Sequence, residues 1–338
     1  MEITRANELI DSFNKYRVLV VGDVLLDHYV HGGVERLNPE APVPILRATE
    51  EREETGGAGN VAKNAAQLGV ETVLVSVVGD DEVAARVGLA AQREGYRPVL
   101  VRDASRQTIR KVRYLVGSQH LLRVDYEDTH DISGMVEEQV LQAIRDEVAA
   151  GVDAVIVSDY AKGVVTQKVA ETLLALASQR DLPVAADVKP SRAQYFLGAT
   201  FVSPNIKEAH EYIGLNHQER PLAPAELAKM VYLKMCADVY LTLGKDGMYV
   251  YCGGEEGTYV PQENVVEVAD ESGAGDTSIV LLLLGRLAGA TEEEASYLAN
   301  AGGAVVVSKV GSVGITCDEL RNMVARRQRY AQKESRLS

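Results

Sequence analysis

Residues 270–284 read DESGAGDTSIVLLLL, in which two glycines and two aspartates run straight into six aliphatic residues. The glycine-rich part reads as a loop and the aliphatic part as a buried helix. Their junction is then a helix N-terminus with free backbone N–H groups and a carboxylate beside them. Such a terminus is a ready anion site, because its unpaired N–H groups and the helix dipole both favour negative charge. Glycine lets those amides approach a phosphate closely. A carboxylate repels a phosphate, so Asp276 is unfavourable there unless it does chemistry, such as taking a proton from a hydroxyl that attacks phosphorus. The same residues also read as a plain turn followed by a helix that Asp276 caps. A strand-like NVVEVAD (264–270) leads into the loop.

Working outward, short β-branched runs alternate with helical patterns. RVLVVGD (17–23), TVLVSVVG (72–79), AVIVSDY (154–160), PVAADVK (183–189) and TFVSPN (200–205) read as strands buried on both faces. Between them, residues 59–69, 81–95 and 166–181 carry helical periodicity, as do the stretches after residue 290. The alternation predicts an α/β fold with a mainly parallel central sheet flanked by helices. Residues 239–260 read as an antiparallel meander with Gly-rich turns. Two stretches break the pattern. Residues 28–53 hold three prolines among many charges, which bars them from a central strand. Residues 109–128 read as a hairpin turning at GSQ. Together they predict a small β-sheet lid over one end of a single domain spanning 1–338, with no linker or repeat.

The remaining bounds exclude several function classes. A net charge of −14 argues against nucleic-acid and anionic-membrane surfaces, which need clustered Lys and Arg. Three scattered cysteines without a CxxC suggest neither a disulfide framework nor a zinc site. The N-terminal stretch has no signal-peptide core, and the run from Ile279 to Leu284 is too short to span a bilayer. A cytoplasmic protein is expected. His28 and His31, three apart on a strand, face opposite sides and do not chelate one metal.

Competing phosphate motifs fail. GxxxxGK[ST] does not occur, and GAGNVA (57–62), although it fits a dinucleotide fingerprint, follows charged residues rather than an apolar strand. Asn205 and Glu208 in NIKE follow a strand at the end where α/β sheets bind ligands. An amide and a carboxylate there suit a hydrated Mg²⁺; taken alone, the pair reads first as a helix capping box. LTLGKDG (241–247) is a strand and a Gly-rich turn. Asp23 and Asp27 at the end of the first strand read either as sugar-hydroxyl holders or as caps that turn the chain.

Taken in order, G-D-x-x-x-D (22–27), GGAGN (56–60), NxxE (205–208), T-L-G-x-x-G (242–247) and D-x-x-GAGD (270–276) resemble the ribokinase-like (PfkB) sugar-kinase family. The likeness runs from about Arg17 to Gly311. NPEAPVPIL (38–46), TGGAGNVAKNAAQLG (55–69), RKVRYLVGSQHLLRVDYED (110–128) and SDYAKGVV (158–165) are similar to the group phosphorylating D-glycero-β-D-manno-heptose 7-phosphate. Thr55, Gly59, Glu271 and Ser272 depart from that pattern, which bears on the exact sugar rather than on phosphoryl transfer. Many members of that group carry a second, nucleotidyltransferase domain with an HxGH motif. This sequence contains no HxGH, which suggests the kinase half alone or a stand-alone kinase.

The resemblance implies an ATP- and Mg²⁺-dependent kinase of ribokinase-like fold. Asp276 would be the base and the Gly273, Ala274 and Gly275 amides the anion hole. Asp27, Asn60 and Asp187 would hold sugar hydroxyls, Asn205 and Glu208 the Mg²⁺ water shell, and Thr242, Gly244 and Gly247 the nucleotide. Lys162, Lys189, Arg113 and Arg123 are candidate partners for the substrate's own phosphate. The resemblance also implies a homodimer through the lid, with Arg36 reaching in from a partner. Two other readings stand beside this one: a kinase of the same family for ribose or a hexose phosphate, and a non-catalytic sugar-phosphate sensor.

Overall fold

A computed structural model describes the backbone of residues 1–334 apart from 118, 265, 310 and 312. The strands are β1 (Arg17–Gly22), β2 (Val24–Leu37), β3 (Pro44–Gly57), β4 (Glu71–Gly79), β5 (Arg97–Asp103), β6 (Arg110–Val116) and β7 (Gln119–Tyr126). They continue as β8 (Ala154–Asp159), β9 (Val184–Val188), β10 (Phe201–Val202), β11 (Asp238–Thr242), β12 (Gly247–Tyr251) and β13 (Thr258–Pro261). The helices are α1 (Ile3–Asp11), α2 (Ala58–Gln67), α3 (Glu82–Arg93), α4 (Gly134–Ala150) and α5 (Gln167–Gln179). After them come α6 (Ile206–Tyr212), α7 (Pro224–Met235), α8 (Ala274–Leu287), α9 (Glu292–Val307) and α10 (Cys317–Glu334).

Nine strands form one sheet in the order β13-β12-β11-β10-β9-β8-β1-β4-β5. From β5 to β11 every pairing is parallel, and β11, β12 and β13 finish as an antiparallel meander. The two-residue side-chain period of a strand explains why β1 is apolar throughout. Val18 and Val20 pack on one face with α1, α2, α3, α8, α9 and α10, whereas Leu19 and Val21 pack on the other with α4, α5, α6 and α7. The apolar run of α8 is buried from Ile279 to Leu284, which makes this helix the centre of the first layer.

A separate sheet of four strands has the order β3-β2-β6-β7. β2 and β3 form one long antiparallel hairpin from Val24↔Gly57 to Leu37↔Pro44, with Pro39 and Pro42 confined to its tip. The β6–β7 hairpin joins through a parallel β2–β6 pairing; Ser118 of its expected GSQ turn lies outside the described residues. The strand expected at 264–270 is absent among its described residues. The Ala269 and Asp270 amides donate instead to the carbonyl of Val307, at 2.7 and 3.2 Å. Val265 in that stretch lies outside the described residues. Among the described residues no helix is long and apolar enough to cross a membrane.

The order β8-β1-β4 marks where chain progression reverses, because β1 pairs with β4 on one side and with β8 on the other. In open α/β sheets ligands sit outside the carboxyl ends of strands at such a point. Asp23 follows β1, Tyr160 follows β8, Lys189 follows β9, Asn205 lies just past β10, and Thr242 ends β11. All five therefore emerge at the same edge.

Candidate active site

Helix α8 points its N-terminus at that edge. Gly273 precedes the helix with φ of +80°, a left-handed conformation that favours glycine. The loop before it is tied by Asp270, whose carboxylate accepts from the Ser272 amide at 2.9 Å and the Gly311 amide at 3.1 Å. Asp276 is the third helical residue, and among the described residues its carboxylate is engaged by side chains. Its Oδ2 accepts from Asn60 Nδ2 at 2.6 Å and its Oδ1 from the Tyr160 hydroxyl at 2.9 Å. The expected alternative, a carboxylate that merely caps its own helix, is thus not what forms.

Asp276 is 5 % exposed and opens on a cavity of about 170 Å³. Gly273 and Gly275 line one side. The strand ends supply Tyr160, Asp187, Lys189, Ser203, Asn205 and Thr242, and α6 supplies Glu208. Burial raises the Asp276 carboxyl above its ordinary range, opposed by the donated hydrogen bonds of Asn60 and Tyr160 and by the charges of Lys63 and Lys189. Burial, with the Asp276 and Glu208 charges, lifts Asp187 to about 7, against the pull of Lys189. Tyr160 is pushed well above an ordinary phenol by burial and then by Asp276, so it stays a hydrogen-bond donor. Lys189 donates to Glu208 Oε1 at 2.6 Å. The cavity therefore sets one cation against three carboxyl groups, beside the amides of a helix N-terminus.

Asn205 and Glu208 form the helix cap that their residue types allow. The capping box is present: Glu208 N donates to Asn205 Oδ1 at 2.9 Å and Asn205 N to Glu208 Oε2 at 3.3 Å. Both side chains also line the cavity. Among the described residues no three His, Cys, Asp or Glu side chains converge closely enough to cage a metal. The oxygen donors of Asn205, Glu208 and Asp187 fit a hydrated magnesium ion that keeps its own waters, and a dehydrated ion would lack ligands.

Other expected residues lie outside this cavity lining. Asp27 is buried and ion-paired with Arg113 on the small sheet. Lys162 Nζ pairs with Glu127 at 2.8 Å, and the exposed Arg123 pairs with Asp125 at 2.9 Å. Gly244 opens a short 3₁₀ turn before β12. Gly247 has φ of +102°, and a Cβ there would stand 2.3 Å from the Val260 carbonyl oxygen, so its close approach serves the β12–β13 pairing. Arg36 is exposed near the far end of β2. His28 pairs with Glu51 at 2.8 Å, and the three cysteines are free.

Asp23 resolves as a chain-turning group. It is fully buried, and its carboxylate accepts the amides of Tyr160 at 2.9 Å, Lys162 at 3.0 Å and Val164 at 3.1 Å. Successive N–H groups converging on an anion form a nest, here filled from within the chain. Asp159 accepts the Ala161 amide at 2.8 Å, and burial next to Asp23 pushes it up to about 8. This pair holds the loop that carries Tyr160 to Asp276. Sequence reasoning gave Tyr160 no role, although its place after β8 at the reversal point was a usable signal.

Comparison with known proteins agrees with this architecture. The model of the pfkB family carbohydrate kinases matches residues 15–317. The Bifunctional protein HldE of Caulobacter vibrioides is 40% identical over 307 residues, covering 90% of this chain and 62% of that protein. HldE of Rhodopseudomonas palustris is 37% identical over 319 residues, covering 94% of this chain and 65% of the relative. The chain thus spans somewhat less than two thirds of the curated relatives it matches. Among solved structures, a carbohydrate kinase from Agrobacterium tumefaciens superposes with a TM-score of 0.73 at 21% identity, covering 92% of this chain and 97% of that one. Phosphofructokinase-2 from Escherichia coli gives 0.73 at 17% identity, covering 92% and 99%. These two show the ribokinase-like fold, a large mostly parallel sheet with a small separate sheet. With the family model matching most of its length, the chain belongs to the pfkB family of carbohydrate kinases and is a phosphotransferase with an alcohol acceptor.

Proposed function

We propose that the chain transfers the γ-phosphoryl group of ATP to the anomeric hydroxyl of D-glycero-β-D-manno-heptose 7-phosphate, giving the 1,7-bisphosphate and ADP. The observation that carries the phosphoryl-transfer step is the buried Asp276 carboxylate at the N-terminus of α8, facing a polar cavity. The heptose acceptor is supported by the PEAPVP and SDYAKG segments and by the identity to HldE proteins.

In this reading the acceptor hydroxyl gives its proton to Asp276 as its oxygen bonds to Pγ and the bond from Pγ to the ADP oxygen breaks. The amides of Gly273, Ala274 and Gly275 face the charge that builds on the transferred group, and they need no reorganisation because the helix fixes them. Asn60 and Tyr160 hold the Asp276 carboxylate in one orientation. Asp27, Asn60 and Asp187 hold sugar hydroxyls, and Thr242, Gly244 and Gly247 border the nucleotide. Asn205 and Glu208 would hold the water shell of a magnesium ion, which supplies neutralisation of phosphate charge when bound. Positioning and electrostatics carry such a reaction, since the protein contributes little covalent chemistry.

A homodimer through the small sheet accompanies this proposal. Val34, Leu37, Leu121 and Leu122 are exposed on β2 and β7, and a partner would remove that apolar surface from water. Arg36 on β2 would then sit near the partner's cleft.

The test is ATP consumption with Mg²⁺ across heptose 7-phosphate, ribose and fructose 6-phosphate. Heptose 7-phosphate is expected to show the highest kcat/KM, by about 10²-fold or more, because buried polar groups reject acceptors that leave them unpaired. A higher kcat/KM for ribose or fructose 6-phosphate would transfer the assignment to that sugar. ATP consumption with none of them would reject all three acceptors.

A further inference from the structure

The Asn60 amide that holds Asp276 is itself held, by a run of hydrogen bonds that returns to the residue after Asp276. Helices α2 and α8 pack against each other, and residues four apart on α2 share a face, so Asn60 and Asn64 both turn to α8. The Thr277 hydroxyl donates to Asn64 Oδ1 at 2.9 Å. Asn64 Nδ2 donates to the Asn60 main-chain carbonyl at 2.8 Å and, at 3.4 Å, to Asn60 Oδ1. Asn60 Nδ2 then donates to Asp276 Oδ2 at 2.6 Å. Asn60, Asn64 and Thr277 are each no more than 1 % exposed, and neither Asn64 nor Thr277 lines the cavity.

The two ends of an asparagine amide are alike in shape and opposite in polarity, so a buried one needs neighbours that tell oxygen from nitrogen. The Asn60 main-chain carbonyl can only accept. It fixes the Asn64 nitrogen on its own side and leaves the Asn64 oxygen for the Thr277 hydroxyl. Asn64 Nδ2 then faces Asn60 Oδ1, which turns the Asn60 nitrogen to the carboxylate. A reversed Asn60 would set oxygen against Asp276 Oδ2 and nitrogen against the Asn64 nitrogen, two repulsive contacts in a buried site. Thr277 is held from its far side. A Cβ on Gly302 of α9 would stand 3.3 Å from the Thr277 methyl, so α9 abuts that methyl. A β-branched side chain has few rotamers in a helix, and with its methyl against α9 the hydroxyl is left facing α2.

We propose that Asn64 and Thr277 are positioning residues for phosphoryl transfer: they set the polarity of the Asn60 amide, so that it donates to the Asp276 carboxylate and holds it in one orientation. This rests on the reading of Asp276 as the base.

The experiment is steady-state kinetics of Asn64→Leu with Mg·ATP and heptose 7-phosphate, or fructose 6-phosphate where that is the sugar turned over. Leucine keeps the volume and removes both polar ends. A misplaced base predicts kcat lowered about 10- to 100-fold, with the KM for ATP unmoved. The Asn60 hydrogen bond lowers the Asp276 carboxyl, so its loss should also move the acidic limb of kcat to higher pH, with Tyr160, Lys63, Lys189 and Asp187 still facing that carboxyl. In an Asn60→Ala background Asn64→Leu should cost nothing further, because residues acting through one contact are not additive. A full further loss there overturns the proposal. Thr277→Val keeps a methyl and removes the hydroxyl; it should lower kcat in the same way, with Thr277→Ser retaining more, and it decides should Asn64→Leu fail to fold. A kcat and acidic limb equal to the parent's in Asn64→Leu, beside an impaired Asp276→Asn, overturns the proposal and leaves the base in place. If Asp276→Asn turns over like the parent, or neither sugar is consumed, a crystal structure of Asn64→Leu decides alone. Asn60 Nδ2 still 2.6 Å from Asp276 then overturns the proposal, and an amide moved out of hydrogen-bond reach supports it.

Discussion

Asp276→Asn is expected to lower kcat by about 10²- to 10⁴-fold, the usual worth of a positioned general base, while ATP still binds and the fold persists. The substitution keeps the side chain's shape in a site that is 5 % exposed, so no cavity opens. It removes the ability to take a proton and leaves the Asn60 amide or the Tyr160 hydroxyl without its acceptor. The pH profile gives a second readout. A base works only when ionised, and burial raises this carboxyl above the usual 3.8. Turnover of the parent should therefore fall as the pH is lowered through a value above that ordinary range. The residual activity of Asp276→Asn should lack that limb. Turnover equal to the parent's would remove Asp276 from the chemistry.

Asp23→Ala should have the largest effect on stability. Three amides, those of Tyr160, Lys162 and Val164, would lose their buried acceptor at once. Each unsatisfied donor costs about 1–3 kcal/mol, against a total stability of about 5–15 kcal/mol for a folded domain. Removing a buried carboxylate returns part of this, since burial opposes ionisation of Asp23. A melting temperature lower by more than about 10 °C, or insoluble protein, is expected. Asp23→Asn keeps one acceptor oxygen and should lose less. An Asp23→Ala protein melting with the parent would show that the nest does not hold the 160–164 loop.

The legibility of this protein in its sequence follows the range of the interactions. β1 was readable because a strand buried on both faces is apolar throughout, as Val18 to Val21 are. The small sheet was readable from prolines and charges that a central strand excludes. NVVEVAD has the alternation of a strand, yet the amides of Ala269 and Asp270 bond to the C-terminal turn of α9 instead. No local pattern distinguishes those outcomes. The glycine loop and Asp276 were visible because an anion site at a helix start is a local feature. Its supports were not, because Asn60 lies 216 residues away in the chain and Tyr160 lies 116 away. Asn205 and Glu208 posed a choice between a capping box and a ligand site; the capping box forms, and the same two side chains line the cavity.

The most direct measurement is a crystal structure of the protein with heptose 7-phosphate and a non-hydrolysable ATP analogue. The account predicts the C1 hydroxyl within about 2.6–3.2 Å of the Asp276 carboxylate, and the terminal phosphate of the analogue against the amides of residues 273–275. A sugar whose hydroxyls all lie beyond reach of Asp276, with the nucleotide phosphates seated away from the start of α8, would contradict it.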